Sequence, residues 1–309
     1  MFSVVFPGQG SQKIGMCKEL YDKYPIVKNL FNQADEILDM PISKIVFEGP
    51  NDLLNLTENT QPAIFLTSYA IYKIALEEFG LNLNDAKFIA GHSLGEYSAL
   101  ASYGAIDFKD CLLTLKKRGK SMQDAIPSGK GSMLAVLGSS LSIIDEILDK
   151  DFKNKCFVAN DNSPQQVVVS GLKENIIKFS DILNKKKIKN VSLNVSAPFH
   201  CDLMKQATDN MKPVINNLKI ENLKNELVSN VTALPTCSPD EIKKLLILQI
   251  ESKVRWCESV SFMVNNGVNN FIEIGPGKVL SGLIRRINKN VKIQTLNNIE
   301  DIKNINLNV

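Results

Sequence analysis

The chain has 309 residues, an apolar content of 44% and a formal charge of +3. That length accommodates one large domain, or a large one with a smaller companion, and so small a charge gives no reason to expect a nucleic-acid partner. No run of about 18 apolar residues is present, so a membrane span is not expected, and Met1–Pro7 lacks the basic start and long apolar stretch of a signal peptide. Six cysteines (Cys17, Cys111, Cys156, Cys201, Cys237 and Cys257) are scattered without a Cys-x-x-Cys pair. This usage fits a reducing cytoplasm and apolar packing better than disulfides or zinc.

Val4–Phe6 reads as a first strand running into Pro7-Gly8-Gln9-Gly10-Ser11-Gln12, a glycine-bearing loop. Thr60-Gln61-Pro62 opens a helix, with proline near its first turn, and Gly80 closes it. Lys87-Phe88-Ile89-Ala90 is a short apolar strand, followed by Gly91-His92-Ser93-Leu94-Gly95 and by a helix start rich in small side chains, Glu96–Ala101. Strand, Gly-x-Ser-x-Gly and helix form the nucleophile-elbow arrangement. The glycines flank Ser93 because nothing bulky packs beside so sharp a turn. The helix N-terminus places free backbone N–H groups where an oxyanion would form. A glycine-rich turn without chemistry is the alternative.

A helix from about Phe108 to Ala125 follows, and the texture changes after Pro127-Ser128-Gly129. Met133–Leu137 reads as a strand, Ser142–Lys150 as a helix, Cys156–Ala159 and Val167–Val169 as strands, Glu174–Leu183 as a helix and Val191–Val195 as a strand. This is the split βαβ order of a ferredoxin-like unit. The expected architecture is therefore α/β: a large domain over residues 1–126 and 197–309, with a small ferredoxin-like domain over 127–196 inserted into it. The large domain resumes with Ser229-Asn230-Val231, a helix to about Val264, the strand Phe271–Ile274 and the turn Gly275-Pro276-Gly277.

A serine nucleophile needs a base, and the chain has two histidines. His92 adjoins Ser93 in a tight turn, where neighbouring side chains point apart. His200, in Ser196-Ala197-Pro198-Phe199-His200-Cys201 at the return to the large domain, is left as the base, a role suited to imidazole near neutral pH. In the helix around Arg118, the residues Cys111, Leu115, Arg118 and Met122 share one face, which is otherwise apolar. A guanidinium facing inward needs a partner. Either an internal Asp or Glu or a bound carboxylate would serve, the latter gripped by two hydrogen bonds. Gln9 and Gln12 lie in the loop after the first strand, at the edge where open α/β sheets bind ligands, though ordinary turn glycines explain that loop equally well. Lys185-Lys186-Lys187 with Lys189 reads as a solvated helix end, or as a docking patch for an acidic partner.

Together these residues resemble the malonyl-CoA:acyl carrier protein transacylases. The likeness runs nearly end to end: Phe6–Gln12, Thr60-Gln61-Pro62-Ala63, Gly91–Ala99, Arg118-Gly119 with Met122, Ala159-Asn160 with Asn162-Ser163-Pro164, Ser196–His200, Gln249 ahead of Val254-Arg255-Trp256, and Glu273–Gly277. The resemblance implies an α/β-hydrolase-like large domain with a parallel sheet, a ferredoxin-like small domain and an active site between them. It implies that Ser93 attacks the thioester of malonyl-CoA, that His200 shuttles the proton, and that the backbone N–H groups of Gln9 and Leu94 hold the oxyanion. Arg118 would bind the free malonyl carboxylate. The main-chain carbonyl of Gln249 would orient the histidine in place of a triad carboxylate. Asn160 would lie near the acyl thioester, and Met122 and Phe199 would set the pocket width.

Malonyl-CoA and a phosphopantetheinylated acyl carrier protein would be the substrates of fatty acid synthesis, with no metal or cofactor. The protein would act as a cytoplasmic monomer. Two departures stand out: Lys253 replaces a proline expected before Val254, and Ser132 stands where alanine is common. The rival readings are a serine thioesterase or other hydrolase, an acyltransferase for another acyl unit, and a non-catalytic scaffold on the same fold.

Overall fold

The computed structural model describes residues 1–127, 129–195 and 197–307; Ser128 and Ser196, quoted above near the two ends of the small domain, lie outside these. In chain order the strands are β1 (Phe2–Phe6), β2 (Phe88–Gly91), β3 (Gly131–Leu137), β4 (Cys156–Ser163), β5 (Gln166–Leu172), β6 (Lys189–Ser192), β7 (Glu226–Val228), β8 (Pro235–Thr236), β9 (Asn270–Ile274) and β10 (Lys292–Leu296). They form two sheets. The larger is ordered β10-β9-β1-β2-β7-β8 and is parallel except for the last, short strand.

Strand β1 is buried throughout, as a central strand of a sheet covered on both faces must be. Its alternate side chains serve two cores. Val4 and Phe6 pack with Phe65, Ile71 and Tyr72 on one face, and Val5 packs with Trp256, Phe271 and Leu283 on the other. Phe6 is in register with Gly91, and the His92 N–H donates to the Phe6 carbonyl at 3.0 Å. The loops after β1 and β2 therefore leave the sheet side by side at its carboxyl edge, the position at which open α/β sheets form ligand sites.

The second sheet is antiparallel, with order β4-β5-β3-β6. Leu134 and Val136 of β3 pack under the helices Leu141–Asp151 and Lys173–Lys185, together with Ile144 and Phe179. Met133 and Ala135 point the other way and join the main core, so the large unit covers the opposite face. A parallel bridge ties the two units. The Val254 N–H donates to Ala159 O at 2.8 Å, and the Asp161 N–H donates to Val254 O at 2.9 Å.

Several sequence expectations shift. The helix expected to open at Thr60 begins at Thr57 and runs to Glu77, which places Pro62 inside it rather than near its first turn. The Thr60 hydroxyl donates to Leu54 O and lies 3.0 Å from Leu56 O, tying down the added turn. The last strand of the small sheet lies at Lys189–Ser192, earlier than Val191–Val195, because the chain turns after Leu193 bonds Met133 O. The single helix expected up to Val264 is two, Pro239–Gln249 and Trp256–Asn265. Between them Val254 and Arg255 spend their backbone groups outward, on β4 and on Asn230 O, which accepts the Arg255 N–H at 3.0 Å. Cys237 is exposed rather than packed in a core, and all six thiols are free.

Phe179 is fully buried in the small unit, edge-on to Phe152 at 5.5 Å. Truncating it leaves a cavity as well as losing apolar contact. Phe179→Ala is expected to cost about 3–5 kcal/mol, read as a lowered midpoint in urea denaturation. A change under about 1 kcal/mol would show that this core does not hold the unit together.

Candidate active site

Strand β2 ends at Gly91, and Leu94 caps the helix Gly95–Ser102. Between them Ser93 sits at φ 54°, in the left-handed region that a residue with a Cβ resists. Such a conformation costs on the order of 1–3 kcal/mol and persists only where its surroundings impose it. Here they do. A Cβ on Gly91 would lie 1.9 Å from the Gly95 carbonyl carbon, and one on Gly95 would lie 2.2 Å from Phe6 O, so both flanks admit only glycine. The Asn230 side chain then closes the turn: its Oδ1 accepts the Ser93 N–H at 2.7 Å, and its Nδ2 donates to Gly91 O at 2.7 Å.

His200 also has positive φ, 57°, and points its ring at the elbow. Its Nε2 lies 2.8 Å from Ser93 Oγ, and its Nδ1 lies 2.9 Å from the main-chain carbonyl of Gln249. A carbonyl only accepts, so the ring proton is on Nδ1, and the Nε2 lone pair faces the serine hydroxyl. Burial holds the imidazole far below its usual range, at about 3; the Arg118 charge pushes the same way, and the Gln249 carbonyl opposes both. The imidazole is therefore neutral near neutral pH. His92 turns elsewhere: its Nε2–H donates to Asn162 Oδ1 at 2.8 Å, and its ring tilts against Trp256.

Arg118 comes from the helix Phe108–Asp124, which Asp107 caps by accepting the Lys109 N–H. Cys111, Leu115, Arg118 and Met122 are all buried on it. The guanidinium, 1% exposed, forms no ion pair among the described residues. Neutral groups hold it instead. Its Nη1 donates to Gln61 Oε1 at 2.8 Å, and its Nη2 to Gln249 Oε1 at 2.8 Å and to Ser93 Oγ at 3.2 Å. Of the two partners left open by spacing, an internal carboxylate is thus not in direct contact.

A cavity of about 340 Å³ opens in front of the serine. Gln9, Ser93, Leu94, Met122, Asn160, Phe199 and His200 line it, together with Met133 of the small sheet. Arg118 and Gln249 stand one layer behind, reaching Ser93 from its buried side. The Gln9 side chain is held by Thr57 Oγ1 at 3.3 Å, and no described residue accepts the backbone N–H of Gln9 or Leu94. Phe199 is anchored through its carbonyl, which accepts from the Ser170 hydroxyl at 2.7 Å.

Four residues enter this site without having been singled out for it. Gln61 holds Arg118, Asn230 holds the elbow, Asn162 holds His92, and Glu96 is a fully buried carboxyl. Burial pushes Glu96 up to about 8, against the Asn230 N–H, the Gln249 amide and the Arg118 charge, all of which favour its ionised form. All four stood in quoted motifs. Long-range pairings, such as that of Ser93 with Asn230, leave no periodic trace in sequence.

The chain is similar to known proteins over nearly its whole length. The acyl transferase domain family matches residues 3–292. A malonyl CoA-acyl carrier protein transacylase of Bacillus subtilis (strain 168) is 42% identical over 302 residues, covering 97% of this chain and 94% of that protein. The crystal structure of an acyl-carrier-protein-S-malonyltransferase from Bartonella henselae superposes with a TM-score of 0.94 at 40% identity, covering 98% of this chain and 97% of that one. A type II PKS acyl-carrier protein in complex with its malonyl-transacylase gives a TM-score of 0.93 at 37% identity, with the same coverage.

The buried neutral imidazole has a consequence for acid stability. Unfolded, His200 titrates near 6.5, the ordinary value of an imidazole, and folded near 3. Below 6.5 the unfolded chain takes up a proton that the folded chain refuses, so stability is lost as pH falls toward 3. His200→Gln removes this contribution. Between about pH 6.5 and 4.5 the variant is expected to lose about 2 kcal/mol less stability than the parent in urea denaturation. Parallel losses in the two proteins would mean that the imidazole is charged in the fold.

Proposed function

Because this chain belongs to the acyl transferase domain family, we propose that it transfers a malonyl group from malonyl-CoA to the phosphopantetheine thiol of an acyl carrier protein, through a malonyl ester on Ser93. The observation that carries this reading is a buried guanidinium held, among the described residues, by neutral acceptors, 3.2 Å from a serine that is paired with a neutral imidazole. A generic esterase has no use for that cation. A substrate carboxylate does, since replacing amide oxygens with an anion gives charge-assisted hydrogen bonds roughly twice as strong.

The chemistry runs in two matched halves. Ser93 Oγ attacks the thioester carbonyl carbon as its proton passes to His200 Nε2. The carbonyl oxygen becomes an oxyanion between the backbone N–H groups of Gln9 and Leu94, which have no competing acceptor among the described residues. The C–S bond then breaks, and the proton on Nε2 leaves with the coenzyme A thiolate. In the second half the phosphopantetheine thiol gives its proton to Nε2 and attacks the ester. The C–Oγ bond breaks and the proton returns to Ser93. Both acyl donors and acceptors visit one cavity in turn, so the kinetics are ping-pong.

The other groups divide the remaining work. Arg118 grips the malonyl carboxylate, Asn160 approaches the thioester, and Met122 and Phe199 set the room for the acyl chain. The Gln249 carbonyl fixes the imidazole tautomer without placing a full negative charge beside an anionic substrate. We read the larger unit as α/β-hydrolase-like and residues 127–196 as a ferredoxin-like insert whose β3 face closes the cavity. No described helix is long and apolar enough to cross a membrane. We place the reaction in the cytoplasm and assign it to a monomer without a metal or cofactor.

Intact-protein mass spectrometry after mixing with malonyl-CoA tests the covalent step. The parent is expected to gain a malonyl adduct that a phosphopantetheinylated carrier protein discharges, and Ser93→Ala is expected to gain none. An adduct lost equally fast without the carrier would make the protein a hydrolase. The clamp is tested separately. Arg118→Ala is expected to lose roughly 10²–10³-fold in kcat/KM for malonyl-CoA and far less for acetyl-CoA, and equal losses would remove Arg118 from carboxylate recognition.

A further inference from the structure

We infer that Glu96 is a positioning residue that orients the Gln249 side chain toward Arg118, and through it sets the preference for an acyl group bearing a carboxylate. This rests on the malonyl-transfer reading and adds to it a residue acting one layer behind the site.

The argument starts from donors and acceptors. Both oxygens of Glu96 are used: Oε1 accepts the Asn230 N–H, and Oε2 accepts from Gln249 Nε2. The same Gln249 Nε2 also donates to the Ser93 carbonyl at 3.0 Å. With its two N–H groups drawn to those acceptors, the amide can present only its oxygen to Arg118, and Oε1 does lie 2.8 Å from Nη2. A flipped amide would set N–H against N–H. It would push the guanidinium away from Ser93 and out of line with a substrate carboxylate.

Glu96 accepts from Gln249 and Asn230 and forms no ion pair with Arg118 among the described residues, so the guanidinium rests on neutral acceptors that a substrate carboxylate can replace. A direct Asp or Glu partner would compete with the substrate for the same N–H groups. Glutamine at position 96 has the same shape but only one accepting oxygen, so it cannot satisfy both the Asn230 N–H and Gln249 Nε2. It must leave one donor facing another.

The test measures acyl-enzyme formation from malonyl-CoA and from acetyl-CoA in the parent, Glu96→Gln, Arg118→Ala and the double variant. Glu96→Gln is expected to lower kcat/KM for malonyl-CoA by roughly 10–100-fold and to lower the acetyl-CoA value much less. In the Arg118→Ala background the same change should leave the malonyl-to-acetyl ratio where Arg118→Ala alone set it, because Glu96 acts through that guanidinium. Equal losses for both substrates, or a ratio effect that survives without Arg118, would reduce Glu96 to a structural group and overturn the inference.

If Glu96→Gln melts before assay, Gln249→Met carries the test. It keeps the main-chain carbonyl on His200 and removes only the amide, so the same selective loss of malonyl transfer is expected. Equal losses there overturn the inference too. A parent protein that shows no preference for malonyl over acetyl overturns both this inference and the reading beneath it. A parent that prefers malonyl beside a Glu96→Gln that prefers it equally overturns the inference alone.

Discussion

Two hydrogen bonds from the Asn230 side chain close the turn around Ser93, one to its N–H and one to the carbonyl of Gly91. The rest of the site hangs on that closure. With Ser93 held at a positive φ, its hydroxyl stands clear of the sheet, within reach of an imidazole on one side and a guanidinium on the other. The conformation is unfavourable by itself, and it survives because Asn230 is fixed in turn by Glu96 and by the Arg255 N–H. Arg255 follows Val254, which bridges to the small sheet. The nucleophile is thus braced from both units of the fold.

Electrostatic balance in the pocket follows from what burial does to each charge. His200 gives up its proton, and Arg118 keeps its charge with no direct anionic partner among the described residues. Glu96 is left close to its titration point near neutrality. A cation beside a neutral base discourages premature protonation of the imidazole while favouring the alkoxide character of Ser93 as it attacks. In the reaction proposed above, the same cation receives the anionic acyl group. On that proposal one residue serves reactivity and recognition, because no described carboxylate neutralises it by contact.

Much of this was legible in residues close together along the chain. The elbow announced itself because a sharp turn demands small neighbours at fixed spacing, and Arg118 because a helix face repeats every three or four residues. The split βαβ order showed where the second sheet lies. Periodicity misled where tertiary contacts took over the backbone: Val254 and Arg255 fall inside the expected helix but bond to β4 and Asn230. It was also silent on the helices Pro25–Leu38 and Lys205–Asn217 and on β10, which complete the layers around the sheet. Pairings such as Glu96 with Gln249 join residues 153 apart, a separation that no local pattern encodes.

The acceptor that aligns His200 is a main-chain carbonyl, not a side chain. Every amino acid at position 249 would carry the same oxygen, so base orientation is written into the path of the backbone and not into the identity of a residue. Alanine scanning is blind to it, and drift at that codon cannot erase it. What drift at that codon can erase is the amide facing Arg118. One position therefore carries two contacts of unequal heritability: a main-chain one that substitution transmits with the backbone, and a side-chain one that almost any substitution loses.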